Sequence, residues 1–270
     1  MNLNTIVEVK RPKSFEEIEW RDGHAFLGGG TWLFSEPQVT TDTLVDLAQL
    51  GWPALTVTPA GLEIAATCKI VELHDFKGPA EWKAVPLFDM CIDAFLMSFK
   101  IWNAATVGGN VCMSLPAGAM VSLTAALEGI CTLWPRNGEP RQTPVVDFVT
   151  GMHTNVLQKG ELLRSILLPA SALKKRFAMR QVSLTHFGRS AALIIATVND
   201  SGEDFLLTIS AATPRPVHLR FKKTPSAAEM RQAIEDRLPP DAWFHDVHGS
   251  APYKRHVTFY LAEQIRAELS

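Results

Sequence analysis

Two glycine-rich segments constrain this chain more than any other feature: Gly28-Gly29-Gly30-Thr31 and Thr106-Val107-Gly108-Gly109-Asn110. Each follows an apolar stretch that reads as the end of a strand or helix. Glycine there permits positive φ and close approach of the backbone to a ligand. N–H groups converging without side chains suit the anionic oxygens of a nucleotide pyrophosphate. In the first segment, Ala25-Phe26-Leu27 delivers the glycines to an expected helix start, and Thr31 adds a hydroxyl. The spacing is not GxGxxG and no GK[ST] follows, which excludes the Rossmann fingerprint and the P-loop. Taken alone, each segment also reads as a tight turn without a ligand.

Length and composition set the frame. A chain of 270 residues is long enough for about two domains. With 47% hydrophobic and 20% charged residues it has the composition of a globular protein. A net charge of −2 points to neither nucleic acid nor an anionic membrane surface. The N-terminus has no apolar run of signal-peptide length, and no stretch reaches the roughly 20 apolar residues of a membrane span. A cytoplasmic location is expected. Cys68, Cys91, Cys112 and Cys131 lack cluster-like spacing and are expected to be free thiols in a reducing compartment. The eight histidines are scattered, so no protein metal site is expected.

Along the chain, Ile6–Val9, Ala25–Leu27 and Leu44–Leu47 read as strands. Ser14 with Glu17 reads as a capping box opening a helix between the first two. Leu55–Thr58 and Leu62–Ala65 flank Pro59-Ala60-Gly61 as a hairpin. Apolar spacing predicts one helix over Leu87–Phe99, running into the second glycine segment, and another over Ala119–Leu127. Lys174-Lys175-Arg176 reads as a linker. Beyond it lie strands at Ala191–Val198 and Phe205–Ala211 and helices at Ala227–Leu238 and Tyr253–Leu269.

The sentences around the two loops carry a resemblance. Phe26–Leu33 and Phe95–Cys112 resemble the FAD-binding subunit of the molybdenum hydroxylases, the family of xanthine dehydrogenase, bacterial CO dehydrogenase and nicotine dehydrogenase. Gly160-Glu-Leu-Leu163 through Pro169, Ala211–Val217 and Ser250-Ala-Pro-Tyr-Lys-Arg-His256 are similar to further segments of that family, in the same order. The resemblance implies an α+β fold. A two-lobed PCMH-type FAD-binding domain would occupy residues 1–170, with lobes of about 1–55 and 56–170. A small CO dehydrogenase flavoprotein-like domain would follow at 175–270. It implies one non-covalent FAD held by Leu27, Gly28, Gly29, Gly30, Thr31, Trp32, Ala105, Thr106, Gly108, Gly109 and Asn110, with Leu163 and Arg180 near the isoalloxazine. Trp32 could lie on the cofactor or simply pack. Arg180 could offset charge on reduced flavin or be an exposed strand residue. The family's serine and acid after Gly-Gly-Asn are Leu115 and Ala119 here, so that contact is lost or replaced.

By the same resemblance, the chain is an oxidoreductase subunit with no catalytic triad of its own. A small subunit with 2Fe–2S clusters and a large molybdopterin subunit would be its partners, in a dimer of heterotrimers. The alternative is a flavin- or nucleotide-binding scaffold without turnover.

Overall fold

The computed structural model describes residues 3–94 and 96–270. Phe95, inside the expected Leu87–Phe99 helix and at the start of one resembling stretch, lies outside them.

The chain begins with a small parallel sheet. Strands β1 (Glu8–Lys10), β2 (His24–Leu27) and β3 (Thr43–Asp46) pair in the order β1-β3-β2. Ser14 caps no helix. Residues 11–20 form turns in which Glu17 accepts the Lys13 amide and Ile18 N–H donates to Phe15. One capping pair cannot support a helix whose nucleation is unfavourable. Here Phe15 instead lies edge-on to Trp134 at 4.9 Å, and Ile18 packs with Val45, Leu50 and Leu162.

The expected hairpin follows as β4 (Leu55–Thr58) and β5 (Gly61–Ala65). Five short helices come next: α1 (Ile70–His74), α2 (Pro86–Ala94), α3 (Phe99–Trp102), α4 (Val107–Met113) and α5 (Ala119–Ala126). The single helix expected over Leu87–Phe99 is therefore interrupted. Leu96 adopts φ 51°, a left-handed conformation that ends helices, and Ser98 restarts the chain as the N-cap of α3. Strands β6 (Ile130–Trp134) and β7 (Arg141–Pro144), the turn α6 (Val145–Phe148), the ribbon β8 (Val149–Gly151) with β9 (Thr154–Asn155), and β10 (Leu162–Pro169) complete this part. Its five-stranded antiparallel sheet runs β4-β5-β10-β6-β7.

A short turn, α7 (Ala170–Leu173), leads to an antiparallel meander of β11 (Arg176–Ser183), β12 (Ser190–Val198), β13 (Glu203–Ser210) and β14 (Val217–Lys223). Helices α8 (Ala227–Arg237) and α9 (Ala251–Leu269) cover one face. Every residue of β12 is buried, as a continuous apolar run predicts for a strand covered on both sides. Leu193 and Ile195 join the core around α5, while Ala192, Ile194 and Ala196 join the core under α8 and α9. The two cores share one sheet. Helix α5 is buried along its whole length and ties the meander on: the Ser122 and Ser210 hydroxyls hydrogen-bond at 2.7 Å, and His218 Nε2 lies 3.0 Å from the Ala125 carbonyl.

Lys174-Lys175-Arg176 is not a solvated connector. Lys175 is 2% exposed and reaches Glu128 at 2.8 Å and Asp204 at 2.6 Å. Arg220 bonds the same two carboxylates, closing a four-membered charge ring between the two cores. All four cysteines are free thiols. Among the described residues no helix is long and apolar enough to cross a membrane.

Candidate functional site

A cavity of about 710 Å³ lies where the small parallel sheet, the α4–α5 region and the meander meet. That volume is within the range of about 300–1,000 Å³ usual for cofactor sites. Both glycine segments reach it, and they touch. A Cβ on Gly28 would lie 2.9 Å from the Thr106 hydroxyl, and one on Gly29 would collide with the Ala104 carbonyl. The two loops therefore form one wall, which needs glycine for its own assembly as well as for any ligand.

The first loop leads into no helix. Gly30 has φ 71° and opens tight turns, with Phe34 N–H donating to Gly30 and Ser35 N–H to Trp32. Among the described residues the amides of Gly29, Gly30, Thr31, Trp32 and Leu33 have no acceptor within the protein. Five consecutive donors without a protein acceptor, on residues that all line the cavity, are the kind of group an anionic ligand can engage.

The second segment contributes differently from the expected cradle of donors. Thr106 is the N-cap of α4, accepting the Gly109 amide at 3.0 Å. Val107 N–H donates to Cys68 and Gly108 N–H to Ala66. The first amides of α4 are thus already satisfied. Gly108 faces the core, where a Cβ would come within 2.5 Å of Ala66 Cβ, and it does not line the cavity. Gly109 does: it is exposed, and a Cβ there would meet only the Thr106 hydroxyl, at 2.8 Å. Asn110 Oδ1 accepts the Met120 amide at 3.0 Å, supplying the cap that Gly118 cannot give α5 and holding the two helices in register.

Of the residues expected to hold a flavin, Leu27, Gly28, Gly29, Gly30, Thr31, Trp32, Ala105, Thr106, Gly109 and Asn110 line this cavity. Leu163 and Arg180 do not. Leu163 is 1% exposed in β10, inside the main core. Arg180 on β11 is turned towards α9, donating to the Met179 carbonyl and pairing with Glu268. Leu115 lines the cavity, whereas Ala119 is buried behind it.

Sequence reading missed the rest of the lining, which long-range folding brings in. Arg189, just before β12, holds its guanidinium 5.9 Å from the Trp32 ring, and His153 lies against the same indole at 5.7 Å. Among the described residues Arg189 has no carboxylate partner. Phe244, His245, Asp246 and His248, just before α9, close the other side. Cys112 also lines the cavity, with its thiol pushed up to about 12 by burial. Unpaired amides, a glycine where a side chain would intrude, a guanidinium without a carboxylate partner among the described residues and a half-buried indole lining the cavity make a set that fits a flavin dinucleotide.

A family model described as the FAD binding domain in molybdopterin dehydrogenase matches residues 5–171, more than half the chain. The chain belongs to that family. Xanthine dehydrogenases 1 and 2 of Arabidopsis thaliana are each 28% identical to it over 123 residues. That stretch is 43% of this chain and 9% of each relative, so the match spans less than a tenth of those proteins. Among solved structures, one of a carbon monoxide dehydrogenase from Hydrogenophaga pseudoflava superposes with a TM-score of 0.79 at 19% identity. It covers 96% of both chains. Quinoline 2-oxidoreductase from Pseudomonas putida 86 gives 0.76 at 16% identity, covering 97% of this chain and 96% of that one. A Cu,Mo-CO dehydrogenase gives 0.80 at 20% identity, covering 96% and 97%. These likenesses extend the fold assignment to nearly the whole chain, including the meander that the molybdopterin dehydrogenase FAD-domain match leaves out.

Proposed function

We propose that this chain is the FAD-binding electron-transfer subunit of a molybdopterin-dependent hydroxylase or dehydrogenase. The observation that carries the reading is the run of five amides at residues 29–33 without a protein acceptor, on the same cavity wall as Gly109, in a chain of this FAD-binding family. The neighbours named carbon monoxide dehydrogenase and quinoline oxidoreductase support the molybdenum-enzyme context. The partners would be a 2Fe–2S small subunit and a molybdopterin large subunit, in a dimer of heterotrimers in the cytoplasm. We divide the chain into an FAD-binding domain at 1–170 and a C-terminal domain at 175–270.

Within that reading each wall has a task. The amides of residues 29–33 bind the pyrophosphate, and the Arg189 guanidinium adds positive charge to the same wall. Gly109 leaves room for the cofactor, and Asn110 keeps α4 and α5 at the spacing the cavity needs. Trp32 offers a flat apolar face. FAD supplies exchange of single electrons with clusters and of electron pairs with an outside acceptor; the protein supplies position and electrostatics.

The cofactor should be non-covalent. Cys112 is the only thiol lining the cavity among the described residues, and at a value of about 12 it stays protonated and weakly nucleophilic at neutral pH. Acid precipitation should leave a colourless pellet and all flavin in the supernatant. Flavin fluorescence remaining on the pellet would contradict this.

The subunit role is tested by anaerobic reduction. The isolated holo-chain, given N-heterocycles, purines or aldehydes, should keep its flavin absorbance. It should bleach once the iron–sulfur and molybdopterin partners are added with their substrate. Rapid bleaching without partners would make the chain a self-sufficient oxidase. A chain that assembles with the partners yet takes up no flavin would be a scaffold.

A further inference from the structure

On the reading that FAD fills this cavity, we propose that Asp246 accepts hydrogen bonds from the cofactor's sugar hydroxyls, on the ribityl chain or the ribose, with Lys254 as its positioning residue. Asp246 is the only carboxylate among the described cavity-lining residues. Its Oδ1 is committed: Lys254 Nζ lies 2.9 Å away and the His248 amide donates to it at 2.8 Å. Among the described residues no bond engages Oδ2, and the side chain keeps 22% of its surface exposed.

Lys254 is fully buried. It grips the carboxylate from behind, also donating to the Ala211 carbonyl at 3.1 Å with its ammonium 5.0 Å from the Phe244 ring. The loop itself is pinned, with Phe244 N–H on the Ala212 carbonyl at 2.9 Å and reciprocal bonds between Asp246 and Gly249. A carboxylate held this firmly against a cavity has its free oxygen preset for a donor.

Charge decides which donor. A carboxylate repels a pyrophosphate, and the wall built for anions is that of residues 29–33 and Arg189. Asp246 belongs to the loop before α9, with Phe244, His245 and His248, and not to that wall, so in this proposal it meets another portion of the ligand. FAD carries hydroxyls on both sides of its pyrophosphate, and hydroxyls buried by the protein need acceptors. The Asn110 oxygen, which also lines the cavity, is already taken by the Met120 amide. The same acid offers a replacement for the one absent at Ala119.

The test is titration of flavin-free protein with FAD, FMN and ADP, following flavin fluorescence and calorimetric heat. Asp246→Asn should weaken FAD by about ten- to a hundred-fold, the size of a charge-assisted hydrogen bond. A loss shared with FMN places the contact on the ribityl chain, and a loss shared with ADP places it on the ribose. The double variant Asp246→Leu/Lys254→Met removes both charges together, so that no buried charge is left uncompensated, and should show the same loss in protein whose far-UV circular dichroism is that of the parent. In the parent protein, FAD should shield Asp246 from carbodiimide amidation, read by mass spectrometry; this arm needs no variant to fold. Parent-like FAD affinity in the folded variants, or equal amidation with and without FAD, would leave Asp246 as no more than the ion-pair partner of Lys254. A parent chain that binds no FAD would instead overturn the cavity assignment itself.

Discussion

Gly109→Val is expected to abolish FAD binding while far-UV circular dichroism remains that of the parent chain. The position is the third residue of α4, with no left-handed backbone requirement, and valine is a better helix former than glycine. An added Cβ meets only the Thr106 hydroxyl, at 2.8 Å, on a residue that lines the cavity, so the methyls beyond it are expected to take up cofactor space. The neighbouring glycines make poorer tests. At Gly29 a Cβ collides with the Ala104 carbonyl, so a valine there moves the loop itself as well as displacing the cofactor. At Gly108 it runs into Ala66 and damages the core. Flavin content per chain is the readout, and full occupancy in Gly109→Val would remove this loop from the site.

The second large effect concerns the charge ring that joins the two cores. Lys175→Met should lower stability by about 3 kcal/mol, because removing one partner of a buried ion pair leaves its carboxylates only partly compensated. In a chain of this size that is a fall of roughly 6–12 °C in melting temperature. Lys159→Met is the control. Lys159 and its partner Asp22 are both more than four-fifths exposed, and the change should stay within about 0.5 kcal/mol. The effect depends on pH. Burial alone would raise the Glu128 and Asp204 carboxyls, but the hydrogen bonds and charges of Lys175 and Arg220 hold both below their ordinary values. A carboxylate depressed in the folded state stabilises fully above its unfolded value, about 4, and loses that contribution as pH falls through the folded value. The gap between parent and variant, measured by urea unfolding, should therefore be widest near neutrality and close below about pH 4. A gap independent of pH, or none at all, would mean that the ring contributes nothing to holding the cores together.

The parts of the molecule legible in the sequence are those where local pattern and tertiary demand agree. The Pro59-Ala60-Gly61 hairpin, the strand expected at Ala191–Val198 and the helix expected at Tyr253–Leu269 follow from turn chemistry or hydrophobic period, and the structure starts that helix two residues earlier, at Ala251. Where the two conflict, tertiary packing wins. Ser14 and Glu17 offer a cap, but Phe15 and Ile18 gain more by packing on Trp134 and the small third core. The apolar period from Leu87 onward does not reveal the left-handed turn at Leu96. A run of three basic residues reads as solvated because sequence cannot show that Glu128 and Asp204 close around Lys175. The site divides in the same way. Its glycine wall is written in two short segments. Arg189, His153 and Asp246 come from other parts of the chain and carry no motif; Asp246 stands only four residues before the Ser250–His256 segment, yet nothing local marks it as facing a cavity.

The most direct measurement is the stoichiometry of FAD uptake by the flavin-free chain, run beside Gly109→Val. One FAD per chain, saturable and lost in the variant, is the result expected if the two glycine segments form the cofactor wall. An absence of saturable uptake, or equal uptake by parent and variant, would contradict it.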